Sequence, residues 1–209
     1  MFVITADQQA SRRLGDRVED VLSALSGRAE RSAALGALAL PFERTAGDEV
    51  QGVLTTAELA VDLALHLQRL GGWSVGIGAG RVDHPLGASS RASSGPAFVS
   101  ARTAVERARS KASSVPLAVD GADPARAQDA EAVLRLLAAV VRRRSANGWE
   151  AIDAATGRTQ REAAAALGVT AQAVSQRLRT ALWEEEVRAR PVAARLLGAT
   201  AGDPDEGAA

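Results

Sequence analysis

The segment LPFERTAGDEVQGVL, residues 40–54, constrains the fold more than any other stretch of this chain. Two partly apolar runs flank Gly47-Asp48, a dipeptide typical of β-hairpin turns. A strand over residues 1–7 and an amphipathic helix over residues 12–29 precede the hairpin. Such a β-α-β-β unit places its third strand, antiparallel, between the first two. We therefore expect an α/β (α+β) fold: a ferredoxin-like, palm-type antiparallel sheet with helices on one face.

The pattern of strands and helices changes near residue 121. Before it, the sequence predicts the order β-α-β-β-α-β-α-β; after Asp123 it predicts helices only, beginning with one over residues 123–145. The acidic, small-residue C-terminus has the composition of a disordered segment. The expected organisation is a cyclase/palm-like domain over 1–121, a connector helix over 122–146, a helix-turn-helix domain over 147–198 and a disordered tail over 199–209.

Composition excludes several classes of protein. The 209 residues include no cysteine and only two histidines, so disulfides, thiolate metal sites and histidine-rich metal cages are not expected. No apolar run reaches the roughly 18 residues of a membrane helix, and no signal peptide opens the sequence. These features predict a cytoplasmic protein without membrane contact. Because the net charge is zero, any nucleic-acid site must be a local patch.

The segment TQREAAAALGVTAQAVSQRLRTAL, residues 159–182, has the spacing of a helix-turn-helix. Thr159 and Glu162 form a capping-box pattern, Gly168 marks the turn, and a second helix is predicted from about Thr170. Seven arginines between residues 142 and 179 outnumber the three acids Glu150, Asp153 and Glu162. This local basic excess favours binding to double-stranded DNA. The alternative is a plain helical hairpin that packs on the first domain.

The second predicted helix carries side chains suited to DNA. Gln and Arg can read base edges in the major groove, and Ser, Thr and Arg can hold phosphates. The segment also resembles the helix-turn-helix of sigma-factor region four. The predicted DNA-binding residues lie on the outer and flanking faces of the second helix: Thr170, Gln172, Ala173, Ser175, Gln176, Arg177 and Arg179.

Asp7 ends the first predicted strand, and Asp48 starts the third. Since these two strands are expected to be antiparallel neighbours, both carboxylates should meet at one edge of the sheet. Two oxygen ligands there suit Mg²⁺ carrying a phosphate. Glu49 is expected on the other face, because side chains alternate along a strand. The alternative is an ordinary hairpin turn, with Asp7 capping the turn that follows it.

Four segments together resemble the nucleotidyl cyclase and palm-domain pattern: FVITAD, AGDEVQGVL, WSVGIGAGRV and GPAFVSARTAVERA. The resemblance implies that Asp7 and Asp48 hold metal ions on a nucleoside triphosphate. Gly76, Ile77 and Gly80 match a later glycine-containing strand of that pattern. The whole chain, a palm-like domain followed by a helix-turn-helix, resembles the SatD family of bacterial proteins. That resemblance implies an architecture rather than an activity.

The helix after Gly95 departs from the cyclase pattern. Alignment on Gly95 and Val99 places Ser100 and Ala104 where the family carries an asparagine and an arginine that stabilise the transition state. A nucleotide sensor is therefore favoured over an active cyclase. The Ser/Gly loop before this helix could hold phosphate on its free N–H groups, with help from Arg91. Its alternative is an ordinary N-cap at Ser94.

The expected nucleotide-binding residues are thus Asp7, Asp48, Arg91 and Gly95, with Mg²⁺ as the possible cofactor. The leading hypothesis is a homodimeric, DNA-binding transcriptional regulator whose cyclase-like domain serves dimerisation or nucleotide sensing. One helix-turn-helix per chain favours a dimer, because such proteins bind paired half-sites. The alternatives are a metal-dependent nucleotidyl cyclase or transferase that uses Asp7 and Asp48, and an adaptor whose C-terminal helices bind a protein. The sequence also leaves open whether the alternating glycines of residues 76–80 admit a ligand or another chain, or only a closely packed helix.

Overall fold

A computed structural model describes residues 1–33, 36–110 and 114–202 of the protein. Its five strands are β1 (Phe2–Gln8), β2 (Leu38–Arg44), β3 (Glu49–Leu54), β4 (Trp73–Ala79) and β5 (Leu117–Gly121). They form one sheet in the order β2-β3-β1-β4-β5, so β3 lies between β1 and β2 as the hairpin predicts. The α/β class is confirmed. The sheet is nevertheless mixed rather than antiparallel, because a helical crossover brings β5 back parallel to β4.

The described helices are α1 (Ser11–Leu14), α2 (Val18–Ala33), α3 (Ala57–Leu70), α4 (Pro96–Ala108), α5 (Pro124–Arg143), α6 (Ala146–Ala155), α7 (Gln160–Leu167), α8 (Ala171–Thr180) and α9 (Trp183–Thr200). The first predicted helix is divided in two, because Gly15 adopts a φ of 77°. Asp16 then caps α2 by accepting the N–H of Val18 at 2.9 Å. Among these helices, none combines the length and the apolar character needed to cross a membrane.

Helices cover both faces of the sheet, so the expectation of helices on one face is wrong. On one face α2, α3, α5 and α9 share a single apolar core with β1, β4 and β5, including the fully buried Ile4, Ile77 and Leu134. On the other face α4 packs closely against β4. A Cβ added at Gly78 would lie 2.1 Å from the Ala97 carbonyl oxygen, and one added at Gly76 would lie 2.2 Å from the Val105 nitrogen. The alternating glycines therefore admit a helix.

The C-terminal helices divide between two cores. Helices α6, α7 and α8 have a small core of their own, built around Ala154, Ala163, Ala164 and Val174. Helices α5 and α9 instead pack into the main core beside the sheet. Helix α9 continues to Thr200, which is buried, so the first residues of the expected tail are helical. Residues 203–209 lie outside the described part of the chain, and the boundary at residue 121 stays a prediction.

Candidate nucleic-acid interface and carboxylate cleft

The backbone between α7 and α8 has the predicted helix-turn-helix form. The Thr159 hydroxyl accepts the N–H of Glu162 at 3.3 Å, and the Glu162 carboxylate accepts the N–H of Thr159 at 2.8 Å. This reciprocal capping box begins α7. Gly168 ends it with a φ of 64°, a left-handed conformation that favours glycine. Thr170 then caps α8 by accepting the N–H of Ala173 at 3.1 Å.

Three of the predicted DNA-contacting residues form one outward strip on α8. Val174 is fully buried and fixes the inner face of this helix. Gln172, Gln176 and Arg179 are exposed and follow the i, i+4, i+7 spacing of a single helical face. Arg179 Nη1 donates to Gln176 Oε1 at 3.1 Å. Two amides and a guanidinium therefore lie side by side, the groups that read adenine and guanine edges.

The other predicted contacts lie at the margin of this strip. Arg177 points toward α6, where its Nη1 lies 3.6 Å from Glu150 Oε2 and 28% of its side chain is exposed. Ala173 and Ser175 are half-buried. Thr170 is exposed, with its hydroxyl oxygen used as the cap of α8. We therefore rank these residues below the α8 strip as candidates for contact with bases.

The basic excess near α8 is smaller than the sequence count indicates. The side chain of Arg144 is only 1% exposed and forms a buried ion pair with Glu186. Arg142 lines a cleft beside the sheet instead. Glu184 and Glu185 share a depression of about 270 Å³ with Arg179, which brings negative charge close to the strip. The arginines that stay exposed on the helix-turn-helix are Arg158, Arg161 and Arg179.

A series of ion pairs joins α9 and the end of α5 to α3 and α2 beside the sheet. Glu186, on α9, contacts Arg144 at the end of α5 and lies 2.6 Å from Arg190. Arg190 also lies 2.6 Å from Asp62 on α3, and Asp62 pairs with Arg28 on α2 at 2.5 Å. These pairs join four helices of the main core. Arg144 Nε also donates to the backbone carbonyl that ends α8, at 2.7 Å, which links α8 to this network.

Asp7 and Asp48 line one cleft of about 1080 Å³ at the end of β1. The strand register explains their meeting, since Asp7 is the partner of Glu49 and the Gln8 N–H donates to the Asp48 carbonyl at 3.1 Å. Both carboxylates are therefore brought together as the sequence predicts. Three arginines also line the cleft: Arg12, Arg109 and Arg142.

Glu49 faces α4, on the same side of the sheet as Asp7. The expectation that Glu49 points to the opposite side from Asp7 and Asp48 is therefore wrong. Residues directly opposite in an antiparallel pair share a face, and Asp48 precedes the strand, where alternation does not apply. Arg102 Nη1 lies 3.1 Å from Glu49 Oε2, and Arg109 Nε lies 3.3 Å from Asp7 Oδ2. Arg109 is not among the residues predicted from the sequence, although its i, i+7 spacing from Arg102 places both on one helix face.

The ionised form of Asp7 is held in an unfavourable setting. Burial raises the pKa of Asp7; Arg109 lowers it in part, and the charge of Asp48 raises it further. A bound cation would offset both the cost of burying the Asp7 charge and its repulsion by Asp48. Within the described ranges, no group of three His, Cys, Asp or Glu residues could hold a metal ion. Two carboxylates therefore suit Mg²⁺ only together with a ligand that brings phosphate oxygens.

Arg91 and Gly95 do not belong to this cleft. Gly95 precedes α4 and lies against Val82, which follows the C-terminal end of β4; the cleft is at the other end of that strand. The backbone N–H of Arg91 donates to the Glu43 carboxylate at 2.9 Å. This N–H is therefore already paired with an anion of the protein itself. Helix α4 reaches the cleft with its C-terminal end, not with its N-terminus. The expected single nucleotide site of Asp7, Asp48, Arg91 and Gly95 is therefore not formed.

No protein-family model matches the chain, and no curated protein or solved structure is detectably similar to it. The resemblance to the SatD family stays a prediction.

Proposed function

We propose that this protein is a DNA-binding transcriptional regulator that acts as a homodimer. The observation that carries the proposal is the α8 strip of Gln172, Gln176 and Arg179, presented by a capped helix-turn-helix. A helix of this kind enters the major groove, where amides pair with adenine and guanidinium groups pair with guanine. Arg144, paired with Glu186, donates to the Ala181 carbonyl at the end of α8 and so links the helix-turn-helix to the main core.

Selection of bound duplexes from a random pool tests this function. Recovery of a consensus sequence is the expected result, followed by tight binding of that duplex in a fluorescence-anisotropy titration. Arg179→Ala should weaken the binding about ten-fold or more, because one base-edge contact contributes roughly 1–3 kcal/mol. Arg13→Ala, an exposed arginine on α1, is the matched control and should bind like the wild type. Absence of any enriched duplex would contradict the proposal and favour the protein-binding adaptor.

A second candidate function is recognition of a nucleotide with Mg²⁺ in the cleft. It is favoured by the convergence of Asp7 and Asp48 with Arg12, Arg109 and Arg142, since carboxylates hold the cation and guanidinium groups hold phosphates. When bound, Mg²⁺ would neutralise phosphate charge. Arg109 would then exchange its contact with Asp7 for one with the phosphates.

We propose binding rather than nucleotidyl transfer. The residue aligned with the cyclase arginine, Ala104, is fully buried against Ala118 of the sheet, so it cannot donate to a ligand in the cleft. A thermal-shift panel of nucleoside triphosphates with Mg²⁺ tests the binding, because a ligand of the native state raises its stability. Asp48→Asn should abolish the shift, whereas Asp83→Asn, at the far end of the sheet, should preserve it. Product formation that Asp48→Asn removes would favour the enzyme.

A further inference from the structure

The outer face of α5 carries an apolar strip centred on the exposed Leu136. The inner face of this helix is buried in the main core through residues such as Leu134 and Val141. On the opposite face, Leu136 is 68% exposed, although a leucine in mid-helix is usually inside. Its neighbours at helical spacing define the outer strip of α5: Asp129, Ala132, Leu136, Ala139, Val140 and Arg143.

The apolar part of this strip continues onto the junction between α8 and α9. A groove of about 190 Å³ lies there, and its lining includes Leu136, Val140 and Leu182. Leu182 is 45% exposed. Three large aliphatic side chains therefore share one surface on the helical side of the molecule, rimmed by Arg143. A contiguous apolar patch with a charged rim is typical of an interaction surface.

The charges at the two ends of the strip specify which partner fits. Asp129 and Arg143 lie the same distance on either side of Leu136 along α5. A second α5 crossing antiparallel at Leu136 would therefore bring each Asp129 against the other copy's Arg143. It would also place Ala132 opposite Val140, so a small side chain meets a larger one. A helix of this length spans about 30 Å, and the alanines permit interaxial distances near 8 Å.

We propose that the outer strip of α5 pairs, antiparallel, with the same strip of a second copy of this chain. The two-fold axis passes beside Leu136. The two Asp129–Arg143 ion pairs are equivalent by symmetry and set the register. Neither residue forms an ion pair with another described residue of its own chain, so both are available to the partner. This pairing deepens the proposed function, because it supplies the two helix-turn-helix units that one DNA site requires.

Cysteine cross-linking tests the crossing point. Because the natural chain has no cysteine, Leu136→Cys introduces the only thiol, and mild oxidation should give a covalent dimer. Val99→Cys is the matched control. Val99 is 67% exposed, close to the exposure of Leu136, but lies on α4 across the sheet. The Val99→Cys variant should stay monomeric on a denaturing, non-reducing gel. Equal cross-linking of the two variants would overturn the proposal.

Sedimentation without DNA tests the register and the surface. Leu136→Glu should give a folded monomer, with thermal unfolding confirming the fold. Asp129→Arg and Arg143→Asp should each weaken dimerisation about ten-fold or more, since each change replaces two ion pairs by repulsions. The double variant should restore it. A wild-type monomer, a Leu136→Glu dimer or a double variant as weak as the single ones would each overturn the proposal.

The two proposals fail separately. Dimerisation is measured in the absence of DNA, and its variants leave Gln172, Gln176 and Arg179 unchanged. A dimer that selects no duplex would refute DNA binding and keep the α5 interface. A monomer that selects a single half-site would refute the interface and keep DNA binding.

Discussion

The close contact between α4 and β4 makes Gly78→Ala the most informative change to the fold. The new Cβ would lie 2.1 Å from the Ala97 carbonyl oxygen and 2.3 Å from the Ala101 nitrogen. Real Cβ contacts begin more than 3 Å away, so α4 must move by about 1 Å relative to the sheet. Both obstructing atoms belong to the backbone, and no rotamer change can relieve them. We therefore expect a loss near the upper end of overpacking penalties, about 3 kcal/mol.

Thermal unfolding followed by circular dichroism measures this loss. For a chain of this size, about 3 kcal/mol corresponds to a fall in Tm of roughly 6–12 °C. Gly27→Ala is the matched control, because Gly27 lies within α2 and nothing lies within 4 Å of an added Cβ. The higher helix propensity of alanine should instead raise the free energy of unfolding by about 0.5–1 kcal/mol. An unchanged Tm for Gly78→Ala would refute the packing of α4 on this face.

Three further changes test other parts of the structure. Glu186→Gln breaks the buried pair with Arg144 and should cost about 3–5 kcal/mol in a denaturant titration, whereas the exposed Glu184→Gln should cost less than about 1 kcal/mol. Asp7→Asn should raise Tm at neutral pH, because burial raises the pKa of Asp7 and the folded state holds its charge unfavourably. This gain should shrink as the pH falls toward 3.8 and the wild-type carboxyl becomes protonated; a constant gain would contradict the assignment. Thr159→Ala removes the cap of α7 and should cost about 1 kcal/mol of unfolding free energy.

Local signals in the sequence predict the local structure well. The Gly47-Asp48 turn predicts the hairpin, and the β-α-β-β order then places β3 beside β1. That placement brings Asp7 and Asp48 to one cleft. The Thr159 capping box and the Gly168 turn likewise follow from residue types whose backbone preferences are strong. Each of these features depends on a few neighbouring residues or on a pairing with few alternatives.

Long-range packing could not be predicted from the sequence in the same way. The 3.6-residue period of α5 shows an apolar face but not what covers it. The helix expected to connect two domains packs that face into the main core. Arg144 counts as a surface charge in the sequence, yet α9 brings Glu186 against it. Arg91 and Gly95 are predicted to bind phosphate because they lie at the start of a helix, but the direction of α4 places its other end at the cleft.

The specificity of DNA binding tests the central claim most directly. The measurement is a titration of the Gln172→Ala/Gln176→Ala variant with the selected duplex and with a scrambled duplex. If the α8 strip reads bases, affinity for the selected duplex should fall about ten-fold or more, because each amide contact contributes roughly 1–3 kcal/mol of discrimination. Affinity for the scrambled duplex should stay the same, since phosphate contacts are retained. Equal affinity of variant and wild type for the selected duplex would contradict the account.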